Sequence, residues 1–284
     1  MPSGLLPSGL LPGDIPTAIT AAIGPILRLS DSPQGMTSTV TIAETARGKV
    51  ALKRAEGALY GGWLSKEYRV LSALGAPGAL TENVRRLTPA PRAFARIDTG
   101  IVSERWLAMD YLPGVTLEAA LRENTDAGRR TRLLRAFGQT LARIHATPPP
   151  AGIPRPTPTW LDAMLDEAGE NLEHFTVDGT PQLLASLKNN HPQPVAPTLI
   201  HGDYTIDNVI VNGDEVIGVI DWSGGAVGDP RCDIAIGTRP QHVAFDADRG
   251  SDRARDLEAF YEGYGAAPIA QDAYDYFLGL YEFF

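Results

Sequence analysis

Asp203, Asn208 and Asp221 are the residues of this chain whose types and spacing could do chemistry. They stand in Leu199-Ile200-His201-Gly202-Asp203-Tyr204-Thr205-Ile206-Asp207-Asn208-Val209-Ile210-Val211 and in Val219-Ile220-Asp221-Trp222. A carboxylate is followed five residues later by an amide, and thirteen residues after that by a second carboxylate. Phosphoryl transfer to a hydroxyl uses such a set. One Asp accepts or orients the proton of the attacking hydroxyl, while an Asn and another Asp hold Mg²⁺ on the phosphates.

The elements around these residues must bring them together. Val209 to Val211 and Val216 to Ile220 are β-branched runs. Asn212-Gly213-Asp214-Glu215 between them reads as a hairpin turn, because Asn-Gly tolerates positive φ. Closing that hairpin sets Asn208 and Asp221 abreast, so that two oxygen ligands converge on one hard cation. Asp203 precedes Asn208 by a loop and faces the same cavity from the acceptor side.

His-Gly-Asp-x-x-x-x-Asn, then Ile-Asp-Trp, then Gly228-Asp229-Pro230-x-x-Asp233-Ile234-Ala235 resembles the aminoglycoside phosphotransferase and choline kinase-like family. That resemblance implies an α+β, two-lobed protein-kinase-like fold. A small β-rich N-lobe would bind nucleotide, and a larger, mostly helical C-lobe would hold the catalytic and acceptor groups. Gly202 stands where protein kinases usually carry Arg, and Trp222-Ser223 where they carry Phe-Gly, which favours the small-molecule branch. Many family members carry His two residues after the catalytic Asp; this chain has Thr205. The expected organisation is a loosely ordered lead-in over 1–24, an N-lobe over 25–112 and a C-lobe over 113–284.

Upstream segments fit the N-lobe. Residues 14–23 read as a short helix capped by Asp14, and Ile26 to Leu29 and Thr39 to Ala43 as strands. The loop between those strands ends in Gly35-Met36-Thr37-Ser38, which resembles the Ser/Gly-rich phosphate-covering loop of the family and makes Ser38 a nucleotide-contact candidate. Lys49 to Lys53 reads as a further strand. Its Val-Ala-Leu-Lys resembles the kinase Val-Ala-Ile-Lys, whose Lys contacts the α- and β-phosphates. A helix near 63–74 carries Glu67, which would pair with Lys53 and hold it extended. Glu56 is the competing partner, in a Gly-rich connection over 56–62. Met109-Asp110-Tyr111-Leu112-Pro113-Gly114 matches the hinge between kinase lobes. There the Asp110 carbonyl and the Leu112 N–H would bond the adenine edge.

Helical periodicity dominates after the hinge. Leu134, Phe137, Leu141 and Ile144 recur at intervals of three and four. His145 reads as a packed helix-end residue; the resemblance implies a structural role for His201, bonding near the metal Asp, and Asp233 reads as a brace for the catalytic loop. Trp160 to His174, Gln182 to Lys188, Asp252 to Gly263 and Gln271 to Phe284 read as further helices. The aromatics of the last two are expected to be mostly core, with some free to line an acceptor pocket.

The 284 residues are 43% hydrophobic and 21% charged, an ordinary globular composition. A single cysteine, Cys232, excludes an intramolecular disulfide and fits a reducing cytosol. The start shows no basic signal-peptide region, and no apolar run of membrane-spanning length occurs. A cytoplasmic location is expected. The net charge of −9 disfavours nucleic acid as a partner. Residues 201–284 hold 16 acidic and 5 basic residues, a balance that would attract a cationic acceptor.

The function expected from all this is ATP- or GTP- and Mg²⁺-dependent phosphorylation of a small-molecule hydroxyl. An aminoglycoside-like acceptor heads the list, ahead of a choline-like amine, a sugar, a homoserine-like amino acid or a macrolide. A nucleotide-binding module without transfer activity is the alternative of another class.

Overall fold

The computed structural model describes residues 10–32, 37–79, 82–100, 102–123, 126–241, 243–249 and 252–284. In its N-terminal part α1 (Thr17–Ile23) leads into β1 (Ile26–Asp31), β2 (Thr39–Thr45) and β3 (Gly48–Glu56). Then come α2 (Ala58–Leu74), the one-turn α3 (Glu82–Arg85), β4 (Pro91–Asp98) and β5 (Ser103–Asp110). The five strands form one antiparallel sheet in the order β1-β2-β3-β5-β4.

Strand alternation divides the roles of β3. Val50 and Leu52 face a cluster with Ile15, Ile19 and Ile23 from the α1 segment and Trp106 and Ala108 from β5. Ala51 and Ala55 face the opposite way, toward Leu64, Val70, Leu71 and Leu74 of α2. The period of two therefore turns Lys53 toward α2 as well.

Two expectations are corrected here. The described part of the lead-in, residues 10–24, is not loose: Ile15, Ile19 and Ile23 are buried against the sheet. Its helix starts only at Thr17 behind Pro16, and Asp14 does not cap it. The Asp14 carboxylate instead accepts from the Leu11 N–H at 2.8 Å, closing a preceding 3₁₀ turn. The Gly-rich stretch 56–62 is not a connection either. Gly57, at φ +80°, makes the whole turn, and α2 begins at Ala58.

The C-terminal part begins with β6 (Val115–Thr116), α4 (Leu117–Arg122) and α5 (Ala127–His145). Thr116 caps α4 and Asp126 caps α5, each accepting a backbone N–H of the first turn. Next are α6 (Trp160–His174), α7 (Pro181–Asn189), β7 (Thr198–Ile200), β8 (Val209–Asn212), β9 (Glu215–Val219) and β10 (Ala226–Gly228). The chain ends with α8 (Pro230–Thr238), α9 (Arg253–Tyr264) and α10 (Gln271–Tyr281).

The periodic face of α5 is the centre of the main core. Leu134, Phe137, Leu141 and Ile144 are fully buried, as their spacing predicts. They join Leu107 and Met109 of β5, Leu71 and Leu74 of α2, and Tyr204, Ile206, Val209 and Trp222 of the motif region. One continuous apolar cluster thus holds sheet, α2 and motif segments together. No helix among the described residues is long and apolar enough to cross a membrane.

Candidate active site

The β8–β9 hairpin forms as the sequence predicts, with a two-residue loop of Gly213-Asp214 between the paired Asn212 and Glu215. Gly213 takes φ +62°, the positive value that a tight hairpin turn needs. At the open end the Ile220 N–H donates to the Asn208 carbonyl at 2.9 Å, so Asn208 and the residue before Asp221 are directly tied.

The loop carrying Asp203 is held from three sides. Gly202 has φ +84°, and a Cβ there would lie 2.5 Å from the Gly224 carbonyl oxygen. Only glycine fits both constraints. Behind it, fully buried Asp233 of α8 accepts the His201 N–H and the Gly202 N–H, each at 2.7 Å. On the other side the Tyr204 hydroxyl donates to the Phe137 carbonyl at 2.8 Å, and its ring stacks on Phe137 with centroids 4.5 Å apart.

His201 is committed to backbone at both ring nitrogens. Its Nε2 lies 2.9 Å from the Ile220 carbonyl, and its Nδ1 accepts the Asp203 N–H at 3.2 Å. Those partners require the Nε2–H tautomer and leave no nitrogen for proton transfer. His145 bridges Asp233 at 3.1 Å and the Tyr264 hydroxyl at 2.9 Å. It is a second layer behind the loop, and burial pushes the Tyr264 phenol up to about 12.

Asn208, itself buried, donates its amide to the Asp203 carbonyl and to Asp203 Oδ2, each at 2.9 Å. Its Nδ2 is thereby used, and Oδ1 is the atom left for a cation. Asp221 stands in the left-handed region at φ 65°, ψ 55°. For a residue with a Cβ that conformation stores strain of about 1–3 kcal/mol, the kind that gathers where a side chain must be aimed. Its carboxylate is 42% exposed, open enough for a ligand, and contacts the Lys53 ammonium.

Lys53 is buried and lies 2.9 Å from both oxygens of Glu67. The Lys–Glu pair expected between strand and helix therefore forms with Glu67. Glu56 instead pairs with Arg54 at 3.0 Å. Lys53 thus links α2 to Asp221 through one ammonium group.

The donor set fits Mg²⁺. It offers a carboxylate and an amide oxygen, both hard ligands, and one or two protein ligands plus phosphate suffice for that ion. Among the described residues no three His, Cys, Asp or Glu side chains form a self-contained metal cage, as a phosphate-shared ion requires none.

Three nucleotide candidates are less defined by contacts. Ser38 lies in the bend before β2, half-buried, two residues from Val40, which pairs with Lys53 across β2–β3. Gly35 and Met36 lie outside the described residues. Asp110 ends β5, and its side chain accepts from Arg92 at 2.5 Å. Leu112 follows, with its side chain against Gly218 of β9.

The site also includes two residues that the sequence analysis did not single out. The Tyr281 hydroxyl donates to Asp203 Oδ1 at 2.8 Å. Burial, and then the Asp203 carboxylate, push its pKa well up, so it stays a donor at neutral pH. The Arg239 guanidinium lies over the Tyr281 ring, 4.9 Å from its centroid. The only signal in the sequence was the aromatic-rich tail, which gives no cue as to which ring reaches the loop.

A model of the phosphotransferase enzyme family matches residues 33–276. Acyl-CoA dehydrogenase family member 10 of Mus musculus is 26% identical over 61% of this chain, which spans only 16% of that protein. An aminoglycoside 3'-phosphotransferase of Streptomyces fradiae is 28% identical over 69% of this chain and 74% of its own length. In three dimensions an aminoglycoside phosphotransferase of Streptomyces rimosus, solved with ADP and streptomycin, superposes with a TM-score of 0.68. It is 19% identical, and the superposition covers 94% of this chain and 96% of that one, which shows a shared fold.

Proposed function

Because the chain belongs to the phosphotransferase enzyme family and has a protein-kinase-like fold, we propose that it is a small-molecule phosphotransferase that moves the γ-phosphoryl group of ATP, with Mg²⁺, to an acceptor hydroxyl placed against Asp203. The observation that carries this reading is the run of contacts that links Asp203 to Asn208, Asn208 to the residue before Asp221, Asp221 to Lys53 and Lys53 to Glu67.

Each residue then has a task. Asp203 orients the acceptor hydroxyl and takes its proton as the new P–O bond forms. The bond to the β-phosphate oxygen breaks, giving ADP and a phosphate monoester. Asn208 Oδ1 and Asp221 would hold Mg²⁺, which supplies neutralisation of phosphate charge. Lys53, held by Glu67, leaves Asp221 for the α- and β-phosphates. Ser38 would contact the phosphates, and the Asp110 carbonyl and Leu112 N–H would bond adenine, or guanine if GTP is the donor. In this reading the site lies between an N-lobe over 25–112 and a C-lobe over 113–284. Positioning and charge neutralisation supply most of the rate, since the transition state is loose.

The aminoglycoside reading of the acceptor is supported by relatives of that name. Two acidic residues of the C-terminal helices that a polyamine could use have other partners. Glu262 pairs with Arg135 at 2.5 Å, and Asp275 accepts from Gln271 at 2.7 Å. A cytoplasmic setting suits the single, buried thiol of Cys232. The test is ADP release with Mg·ATP against aminoglycosides, macrolides, amino alcohols, sugars and hydroxy acids. Turnover that depends on both acceptor and Asp203 supports the reading; ADP release unchanged in Asp203→Ala overturns it.

A further inference from the structure

Arg239 stands apart among the half-buried arginines of the C-terminal part. Arg130 is paired with Asp256 at 2.6 Å and Arg231 with Asp229 at 2.6 Å, and Arg253 donates to main-chain carbonyls. Arg239 is half-buried at the C-terminal end of α8, yet among the described residues no carboxylate lies within ion-pair distance of it. Its Nε is shut away from solvent without a hydrogen-bond partner. Stacking on Tyr281 satisfies the face of the guanidinium and none of its N–H groups. Leaving such a charge partly desolvated and unpaired costs free energy that an anion at its edge would offset.

Tyr281 explains why the nearest catalytic carboxylate is not that anion. The guanidinium lies over the face of its ring, and its hydroxyl donates to Asp203 Oδ1 at 2.8 Å. Asp203 is thus held by the tyrosine hydroxyl, and the guanidinium donors of Arg239 stay unpaired.

We propose that Arg239, seated on Tyr281, is a recognition subsite for an anionic oxygen group of the acceptor, so that the acceptor is an alcohol bearing a carboxylate or phosphate. The inference rests on the phosphotransferase reading of the Asp203 site. A planar five-donor fork matches such groups bidentately and is weakly hydrated, which suits a half-buried position. The hydroxyl would reach Asp203 while the anion reaches Arg239 past the edge of the Tyr281 ring.

The test is ADP release at saturating Mg·ATP with linear hydroxycarboxylic acids of graded length, the matched carboxamides, hydroxyalkyl phosphates and kanamycin. Arg239→Gln, Arg239→Lys and Tyr281→Phe are compared with wild type. Charge-assisted hydrogen bonds of this kind set the expected preference for anion over amide at about tenfold or more in kcat/KM. Arg239→Gln should raise KM for the anionic acceptor about tenfold with little change in kcat, and should leave the amide unaffected; Arg239→Lys should restore part of the loss. Equal loss of kcat for acid and amide would mean that Arg239 only props Tyr281, and would overturn the proposal. So would a best acceptor without an anion whose kinetics ignore Arg239→Gln.

Thermal-shift titration of the same probes with Mg·ADP reads binding without turnover. An acid-dependent shift lost in Arg239→Gln supports the subsite even if no ADP is released, in which case the transfer reading fails alone. Shifts equal for acid and amide, or absent for every anion, overturn the subsite while leaving transfer to other acceptors intact.

Discussion

The side-chain amide of Asn208 donates to both the carbonyl and the Oδ2 of Asp203 at 2.9 Å, so the two residues form one hydrogen-bonded unit. A substitution at Asn208 should therefore touch the base as well as the metal. Asn208→Ala is expected to lower kcat in addition to weakening Mg²⁺ dependence. Steady-state kinetics at saturating and limiting Mg²⁺ separate the two effects; a purely Mg²⁺-reversible defect would show that the base does not need the amide.

Asp203→Ala should abolish transfer while nucleotide binding survives within about tenfold. A general base contributes on the order of 10²–10⁴-fold, and this one faces the acceptor hydroxyl. Tyr281 would lose its acceptor, so the folded state must be checked by its melting curve. Near-normal turnover by a stable Asp203→Ala protein would refute the mechanism.

Asp221→Ala should remove Mg²⁺-dependent nucleotide affinity more severely than Asn208→Ala. A carboxylate brings charge to the cation, whereas an amide brings only a dipole. Nucleotide affinity measured with and without Mg²⁺ checks this. Equal metal dependence in wild type and Asp221→Ala would make Asp221 a structural residue that shapes the turn before Trp222.

Glu67→Ala leaves the buried Lys53 ammonium with Asp221 as its only carboxylate among the described residues. Removing one partner of a buried pair costs on the order of 3–5 kcal/mol. Chemical denaturation should show a loss of that order, reduced here by the remaining Asp221 contact. Nucleotide affinity should fall with it, because Lys53 would stay collapsed on Asp221.

The Tyr264 phenol gives a pH signature. Its folded value is raised from 10.0 to about 12, chiefly by burial. A raised value means that the folded state holds the proton more tightly than the unfolded one. The contribution is fully present below about pH 10 and lost as pH rises toward 12. Urea denaturation midpoints over that window should fall less steeply for Tyr264→Phe than for wild type; parallel curves would remove Tyr264 from the account.

Asp203, Asn208, Asp221, Lys53 and Glu67 were legible in the sequence for a physical reason. The first three sit on a loop and a hairpin whose geometry follows from Gly202, the Asn-Gly turn and the β-branched runs. Lys53 and Glu67 sit on a strand and the helix that directly follows it. In both cases local chain stiffness sets where the side chains point, and alternation along β3 even predicts the face of Lys53. Local cues misled where packing overrode them. Gly61 and Gly62 read as a loop but lie inside α2. The proline-rich start read as loose, although Ile15, Ile19 and Ile23 bury themselves against the sheet.

What the tertiary structure alone decided is the acceptor side. Tyr281 is 78 residues from Asp203 in the chain, and their contact exists because α10 packs on α8 beside the loop. Arg239 shows no anomaly in sequence; it is one of five arginines after residue 200. Its missing carboxylate becomes visible only when every neighbour is in place. The phosphoryl-transfer machinery is written in short segments whose backbone geometry is local. Acceptor recognition depends on side chains brought from distant helices, and no spacing rule along the chain encodes that meeting.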